Sequence, residues 1–176
     1  MKFLELAKSR RSVRKYKESP VPRVLLEKIV EAGMWAPSGL NTQPWRFIIV
    51  DEPKLKSETR RLYDEARTRK DLYKQDSSFL ENASLILVCA DASKAGGEFS
   101  TAMACQNMLL AATDLALGSL ITAGMMDNVG VKELNKLFTI KEPYKPVALL
   151  AFGFANGTPD PKPRKKLEEF VSHNRF

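Results

Sequence analysis

The chain has 176 residues, 28 lysines and arginines against 21 aspartates and glutamates, a formal charge of +7, and 44% hydrophobic residues. That length supports one domain with a substantial core and no need of disulfide or metal staples. No apolar run is long enough to cross a bilayer, and the N-terminal segment, broken by Glu5 and Lys8, lacks the apolar stretch of a signal peptide; the expected compartment is the cytoplasm, with no membrane partner. Positive charge is spread along the chain rather than gathered with stacking aromatics, and no helix-turn-helix, zinc-finger or RNP pattern occurs, so nucleic acid is not an expected partner.

In chain order, Phe3 to Lys8 reads as one or two helical turns and runs directly into Arg10-Arg11-Ser12-Val13-Arg14. A helix is predicted from about Pro22 to Met34, where the proline suits a first turn and Val24, Leu25, Ile29 and Val30 recur at helical spacing. It stops near Pro37, since Ser38, Gly39 and Asn41 are turn formers, and Trp45 to Val50 then reads as a strand with Trp45 in the core. Lys54 to about Lys74 is charged and helical, with Leu55, Leu62 and Ala66 among long polar side chains, and is expected to be a mobile cover. Ser84 to Ala90 is continuously apolar and short, the signature of a buried strand. Phe99 to Leu117 is too long for a strand and apolar nearly all round from Ala102 onward, which demands a buried helix. Gly118 ends it. Leu120 to Ala123 reads as a strand, Val131, Leu134, Leu137 and Phe138 mark a short helix, and Pro146 to Phe154 is the last strand. From Asn156 onward Pro159, Pro161 and Pro163 predict an extended arm. Strands separated by helices around one all-apolar helix indicate an α/β or α+β sandwich, one domain over residues 1–176.

What is missing narrows the chemistry. His173 is the sole histidine and lies in the tail, which argues against a histidine-based triad and multi-histidine metal sites. Cys89 and Cys105 sit inside apolar runs and read as small buried hydrophobes, not as a disulfide, a redox pair or metal ligands. There is no phosphate loop and no strand-borne G-x-G-x-x-G; Gly96-Gly97 and the Gly153 to Gly157 spacing are weak substitutes. Such a chain either takes its reactivity from a cofactor or catalyses nothing.

Arg10, Arg11, Ser12 and Arg14 gather three guanidinium groups and a hydroxyl. They suit a phosphate through paired charge-assisted hydrogen bonds, and by themselves read equally as a basic surface turn. Lys162 and Arg164, a K-x-R in the proline-stiffened arm, are a second source of cations. Pro37-Ser38-Gly39-Leu40-Asn41-Thr42-Gln43-Pro44-Trp45 offers small residues that admit a flat ring and amides for its polar edges, or is an ordinary helix-to-strand loop. Gly118-Ser119-Leu120-Ile121-Thr122-Ala123-Gly124 reads as a strand end with a glycine turn.

With these four stretches and Gln106-Asn107-Met108-Leu109-Leu110 in the long helix, the chain resembles the nitroreductase family of FMN-dependent oxidoreductases over nearly its whole length. The resemblance implies an α+β sandwich in which helices flank a central mixed, mostly antiparallel sheet. It also implies a homodimer with flavin sites at the subunit interface, FMN as cofactor and NAD(P)H as donor. Hydride would pass in a ping-pong sequence to nitroaromatics, quinones or related small-molecule acceptors, with no side chain needed as catalytic acid or base and no metal. Arg10, Arg11, Ser12, Arg14, Lys162 and Arg164 would then meet the phosphate. Pro37, Ser38, Gly39, Asn41 and Gln43 would contact the partner subunit's flavin, and Ile121, Thr122, Ala123 and Gly124 would lie along the ring with a backbone N–H toward N5.

Two departures stand out. Many family members carry a tryptophan, or an acidic residue before the glycine, where this chain has Ile121 and Ala123. Many also place an asparagine and a lysine ahead of the middle strand, where this chain reads Lys74-Gln75-Asp76-Ser77-Ser78-Phe79; Lys74, Arg67 or Arg69 is left to face negative charge on the reduced ring. The same fold also serves reductive dehalogenases and a flavin-fragmenting branch, with Tyr63, Glu65 and Lys70 as a candidate substrate cover, and a flavin-binding protein without turnover is a third reading.

Overall fold

The computed structural model describes residues 2–71, 76–157 and 159–176. Four strands, β1 (Trp45–Val50), β2 (Ser84–Asp91), β3 (Gly118–Thr122) and β4 (Tyr144–Gly153), form one sheet in the order β1-β2-β4-β3, each neighbouring pair antiparallel. The parallel component among the described residues is a single bridge between Ser12 and Ser119. An α+β architecture with a mostly antiparallel sheet is therefore what the chain adopts.

β2 lies in the interior of the sheet with helices on both faces, which is why Leu85 to Asp91 is buried without alternation. Leu85, Leu87 and Cys89 pack with Leu62, Tyr63 and Ala66 of α3 (Pro53–Arg69), Phe79 and Leu80 of α4 (Phe79–Asn82), and Leu134 of α6 (Asn128–Phe138). Ile86 and Val88 pack the other way, with Leu26 and Ile29 of α2 (Arg23–Met34) and Cys105, Met108, Leu109 and Ala112 of α5 (Gly97–Asp114). No helix among the described residues is long and apolar enough to cross a membrane.

Two expectations change. The helix read as a mobile cover is part of the core: Thr59, Leu62, Tyr63 and Ala66 form a buried stripe at helical spacing, half of it supplied by residues with polar tips. α5 ends at Asp114 rather than Leu117, because Ala116 takes a left-handed φ of 58° and turns the chain toward β3. Nor is α5 covered all round within one chain. Phe99, Ala102 and Gln106 are exposed and Met103 is half-buried, a single stripe left open to solvent.

After α1 (Phe3–Ser9) the N-terminal segment crosses the sheet end. Val13 N donates to Ser119 O (2.9 Å), Lys17 N to Phe154 O (2.9 Å), and Asn156 N to Lys15 O (2.9 Å). The Tyr16 hydroxyl donates toward the carbonyls of Val13 (2.8 Å) and Ala151 (3.3 Å). Two glycines make this seat possible: a Cβ at Gly118 would stand 2.9 Å from Val13, and one at Gly153 would stand 2.6 Å from the Tyr16 ring. Gly153→Ala should accordingly lower stability by about 1–3 kcal/mol through overpacking, read as a lower melting temperature. Gly39→Ala, whose Cβ meets open space, is the matched control and should leave it nearly unchanged.

Candidate functional site

Three of the sequence-predicted stretches converge at the β3 edge. The Ser12–Ser119 bridge lays the arginine cluster beside β3, and the arm leaves β4 next to it at Asn156. Arg10 is half-buried, and its guanidinium has no acceptor among the described residues. Its pKa is held below the ordinary arginine value by burial first, then by the positive charges of Arg164 and Arg11. The C-terminal arm thus returns its cation to the N-terminal cluster. Among the described residues Arg164 itself donates only to the nearby carbonyls of Lys162 and Pro163, each at 3.3 Å, and Lys162 is exposed. Among the described residues no carboxylate pairs with Arg10 or Arg164, although Asp160 lines the adjoining cleft.

The members of the cluster divide their work. Arg11 folds back, donating through Nη1 to the carbonyls of Lys8 (2.5 Å) and Arg10 (3.0 Å), and so satisfies the C-terminus of α1. Ser12 and Arg14 line a cleft of ≈ 400 Å³ with Lys15, Asn156, Gly157 and Asp160, and the Arg14 guanidinium makes only a long 3.5 Å contact to Ser12 O.

β3 delivers the next component. Ile121 and Ala123 are exposed, Thr122 and Gly124 half-buried. The Thr122 hydroxyl accepts from Gly124 N (3.3 Å) and Ala123 O accepts from Met126 N (3.0 Å), while the Ala123 amide finds no acceptor among the described residues. An N–H without an acceptor among the described residues therefore lies within the Ile121 to Gly124 stretch.

The Pro37 to Gln43 loop is pinned at both ends and open between them. Ala36 and Trp45 are buried against Ala104, and Asn107 Nδ2 donates to Ala32 O (3.2 Å), fixing the end of α2. Asn41 N donates to Ser38 O (3.0 Å) and Gln43 N to the Ser38 hydroxyl (3.0 Å), while Gln43 Nε2 reaches Asn41 O (3.4 Å). Leu40, Asn41 and Gln43 take left-handed φ values of 49°, 54° and 46°, costly by about 1–2 kcal/mol for an ordinary L residue. Pro37, Gly39 and Asn41 face solvent, and Gly39 has neither a positive φ nor a close neighbour to explain its lack of a side chain. Leu40 is 100% exposed and Trp35 is 82% exposed. Sequence reasoning passed over both, although a lone leucine among turn formers is a visible signal.

One chain does not bring this loop to the arginine cluster. The loop enters β1 at Trp45, level with Ala90 and Lys145; Ser12 pairs with Ser119, level with Phe152 at the opposite sheet edge. The offset is three strand spacings across and seven residues along, on the order of 25 Å.

The candidates for the reduced ring and the cover are already engaged. Arg67 donates to the Tyr63 hydroxyl (3.1 Å) and lies 5.4 Å over its ring, and Arg69 binds Asp127 (3.0 Å). Lys74 lies outside the described residues. Tyr63 is buried, Glu65 is held by Arg61 (2.5 Å), and Lys70 by Gly124 O (2.7 Å). A larger groove of ≈ 700 Å³ runs along α3, but its three arginines, Arg60, Arg61 and Arg69, are all paired with carboxylates, which leaves no charge for a ligand. Burial pushes the Cys89 and Cys105 thiols up to about 11 and about 12, so neither is a thiolate at neutral pH.

A model of the Nitroreductase family matches residues 7–154. The "Putative NADH dehydrogenase/NAD(P)H nitroreductase" of Methanothermobacter thermautotrophicus is 32% identical over 90% of this chain and 80% of its own. The iodotyrosine deiodinase of Thermotoga neapolitana is 31% identical over the full length of both chains. Among solved structures, oxidized iodotyrosine deiodinase bound to FMN and 3-iodo-L-tyrosine superposes with a TM-score of 0.86 at 28% identity, over 98% of this chain and 99% of that one.

Proposed function

The chain belongs to the nitroreductase family, and from that premise we propose that it is an FMN-dependent oxidoreductase. In this reading it takes hydride from NAD(P)H and passes it to a nitroaromatic, quinone or related acceptor, as a homodimer with flavin sites between its subunits. The observation that carries the reading is the proximity of the Arg10 and Arg164 charges with no carboxylate paired to either among the described residues, which suits a terminal phosphate. Ser12, Arg14 and Lys162 add donors around the same anion. The unpaired Ala123 amide supplies a donor for the polar edge of the ring, and Gly39 and Asn41 of the second chain supply a flat, small surface for its face. Bound there, FMN supplies a two-electron carrier, and the protein's part is to hold and orient it. The open stripe of Phe99, Ala102 and half-buried Met103, edged by Gln106, together with Trp35 and Leu40, is the surface a second copy would cover.

The test is direct. Purified protein should be yellow, release FMN rather than FAD, and give parallel lines in double-reciprocal plots of initial rate, because the chain has no second nucleotide motif and both substrates must use one face of the ring. Colourless protein that takes up no added FMN would defeat the reading, and converging lines would defeat the shared face.

The full-length similarity to the Thermotoga deiodinase favours a second reading, reductive removal of halide from a halophenol. It ranks lower because Tyr63, Glu65 and Lys70 are already committed within the chain. Reoxidation of the reduced protein under nitrogen by 3-iodo-L-tyrosine, faster than by a nitroaromatic, would reverse that ranking.

A further inference from the structure

The strap from Thr122 to Met126, which carries the free Ala123 amide, is anchored at its far end by Met125, fully buried in the core, and is open around Ala123 and Gly124. Gly124 has no side chain, and a Cβ there would meet only the Thr122 hydroxyl, at 3.5 Å. The open stretch before Met125 is tied from elsewhere in the chain. Lys70, the C-terminal residue capping α3, reaches across 54 residues to donate to Gly124 O at 2.7 Å. Arg69 places Nη2 3.0 Å from Asp127 Oδ1 and 3.3 Å from Oδ2, and Lys70 Nζ is 3.6 Å from Oδ2.

Asp127 is at the same time the N-cap of α6, accepting from Gly130 N at 2.8 Å. Capping needs only one carboxylate oxygen, and an asparagine performs it as well. Oδ1 takes both the cap and the shorter Arg69 contact, Oδ2 faces Lys70 and the longer Arg69 contact, and the negative charge serves the two cations. The strap is also folded hard against α6: a Cβ at Gly130 would fall 1.9 Å from Met125 O, so this turn exists only with glycine there. Each ion pair here is partly exposed and contributes little stability. Their product is geometry, a charge-assisted tie from α3 to the strap.

We propose that Arg69 and Lys70, through Asp127 and Gly124, are positioning residues that fix the Thr122–Met126 strap and so aim the Ala123 amide at the flavin edge; this rests on the flavin reading above. They touch neither ring nor substrate in this account. Because α3 carries both cations, movement of its last turn moves the strap.

Two kinds of variant separate positioning from folding. Asp127→Asn keeps the α6 cap and loses the charge; Lys70→Met loses the tie to Gly124, and Lys70→Arg restores a donor. Arg23→Gln, which removes a solvent-exposed pair on α2, is the control. In flavin-free protein, amide hydrogen exchange over residues 122–126 should quicken about tenfold in Asp127→Asn and Lys70→Met, with no change in Lys70→Arg or the control and little change in melting temperature. In FMN-loaded protein the same two variants should keep FMN affinity within about twofold. Their flavin midpoint potential should shift by about tenfold in relative affinity for the two redox forms, or about 30 mV for a two-electron couple. Unchanged exchange overturns the tie. Faster exchange with an unchanged potential overturns the positioning role. Wild-type protein that takes up no FMN defeats the flavin reading itself, a failure seen before any variant is compared and separate from the exchange result.

Discussion

Replacing Arg164 with alanine should weaken FMN binding roughly 10- to 100-fold while changing riboflavin binding little, because a charge-assisted hydrogen bond contributes about 1.5–3 kcal/mol and every 1.4 kcal/mol is tenfold. Arg10→Ala should behave alike, and the double variant should fall short of the sum, since two guanidinium groups sharing one anion are coupled. The structure adds a signature that a merely structural arginine would not show. Arg10 and Arg164 repel each other in the ligand-free chain, where burial and the Arg164 charge together hold the Arg10 pKa down. Removing Arg164 should therefore leave the melting temperature of flavin-free protein unchanged or slightly raised, and shrink the increase that added FMN produces. Thermal unfolding with and without FMN, beside titrations with FMN and riboflavin, checks all three expectations. Equal weakening of both ligands would remove Arg164 from the phosphate role.

The parts of this molecule legible in its sequence are those where a local pattern decides the outcome. β2 is a run of apolar residues short enough to be only a strand, and the structure buries it on both faces. The extent of α2 is legible from the proline before it and its apolar residues, but its buried face is not: Val24, read into the stripe, is 57% exposed, and Leu26 is buried instead. The burial of α3 is not legible in the sequence, because Thr59 and Tyr63 supply half of its buried face and do not register as apolar. Within the arginine cluster the sequence shows five adjacent residues but not their division. Past α1 the chain is extended, so alternate residues share a side; Val13 packs on the sheet, Arg10 turns to the arm, and Arg11 returns to α1. Pairings such as Gly153 with Tyr16, or Lys70 with Gly124, join distant segments, and no local periodicity encodes their register. Leu40 is the opposite case. Its signal, a leucine with no apolar company inside PSGLNTQ, was present in the sequence and its meaning appears only once it is seen to be fully exposed.

Mixing two inactive variants should restore activity if each flavin site is built by two chains. One variant carries Arg10→Ala with Arg164→Ala, which strips the phosphate cations. The other carries Gly39→Trp, chosen because a side chain at residue 39 meets nothing in its own chain and so should leave the fold intact while filling the space against the partner. Within one chain the loop's entry into β1 and the Ser12–Ser119 bridge beside the arginines lie on the order of 25 Å apart, at opposite edges of the sheet, which favours the two surfaces reaching one ring from different chains. In a two-fold dimer each pocket then takes its cations from one subunit and its loop from the other. Random reassembly after unfolding and refolding makes about half the dimers mixed, and each mixed dimer holds one pocket with both defects and one with neither, so about a quarter of wild-type activity should return. If the exposed Leu40 and Trp35 anchor a second copy, Leu40→Asp in an otherwise wild-type chain should shift the protein toward monomer in sedimentation while costing flavin. If each chain instead completed its own pocket, every pocket in the mixture would keep one defect, and the refolded sample would stay as inactive as its components.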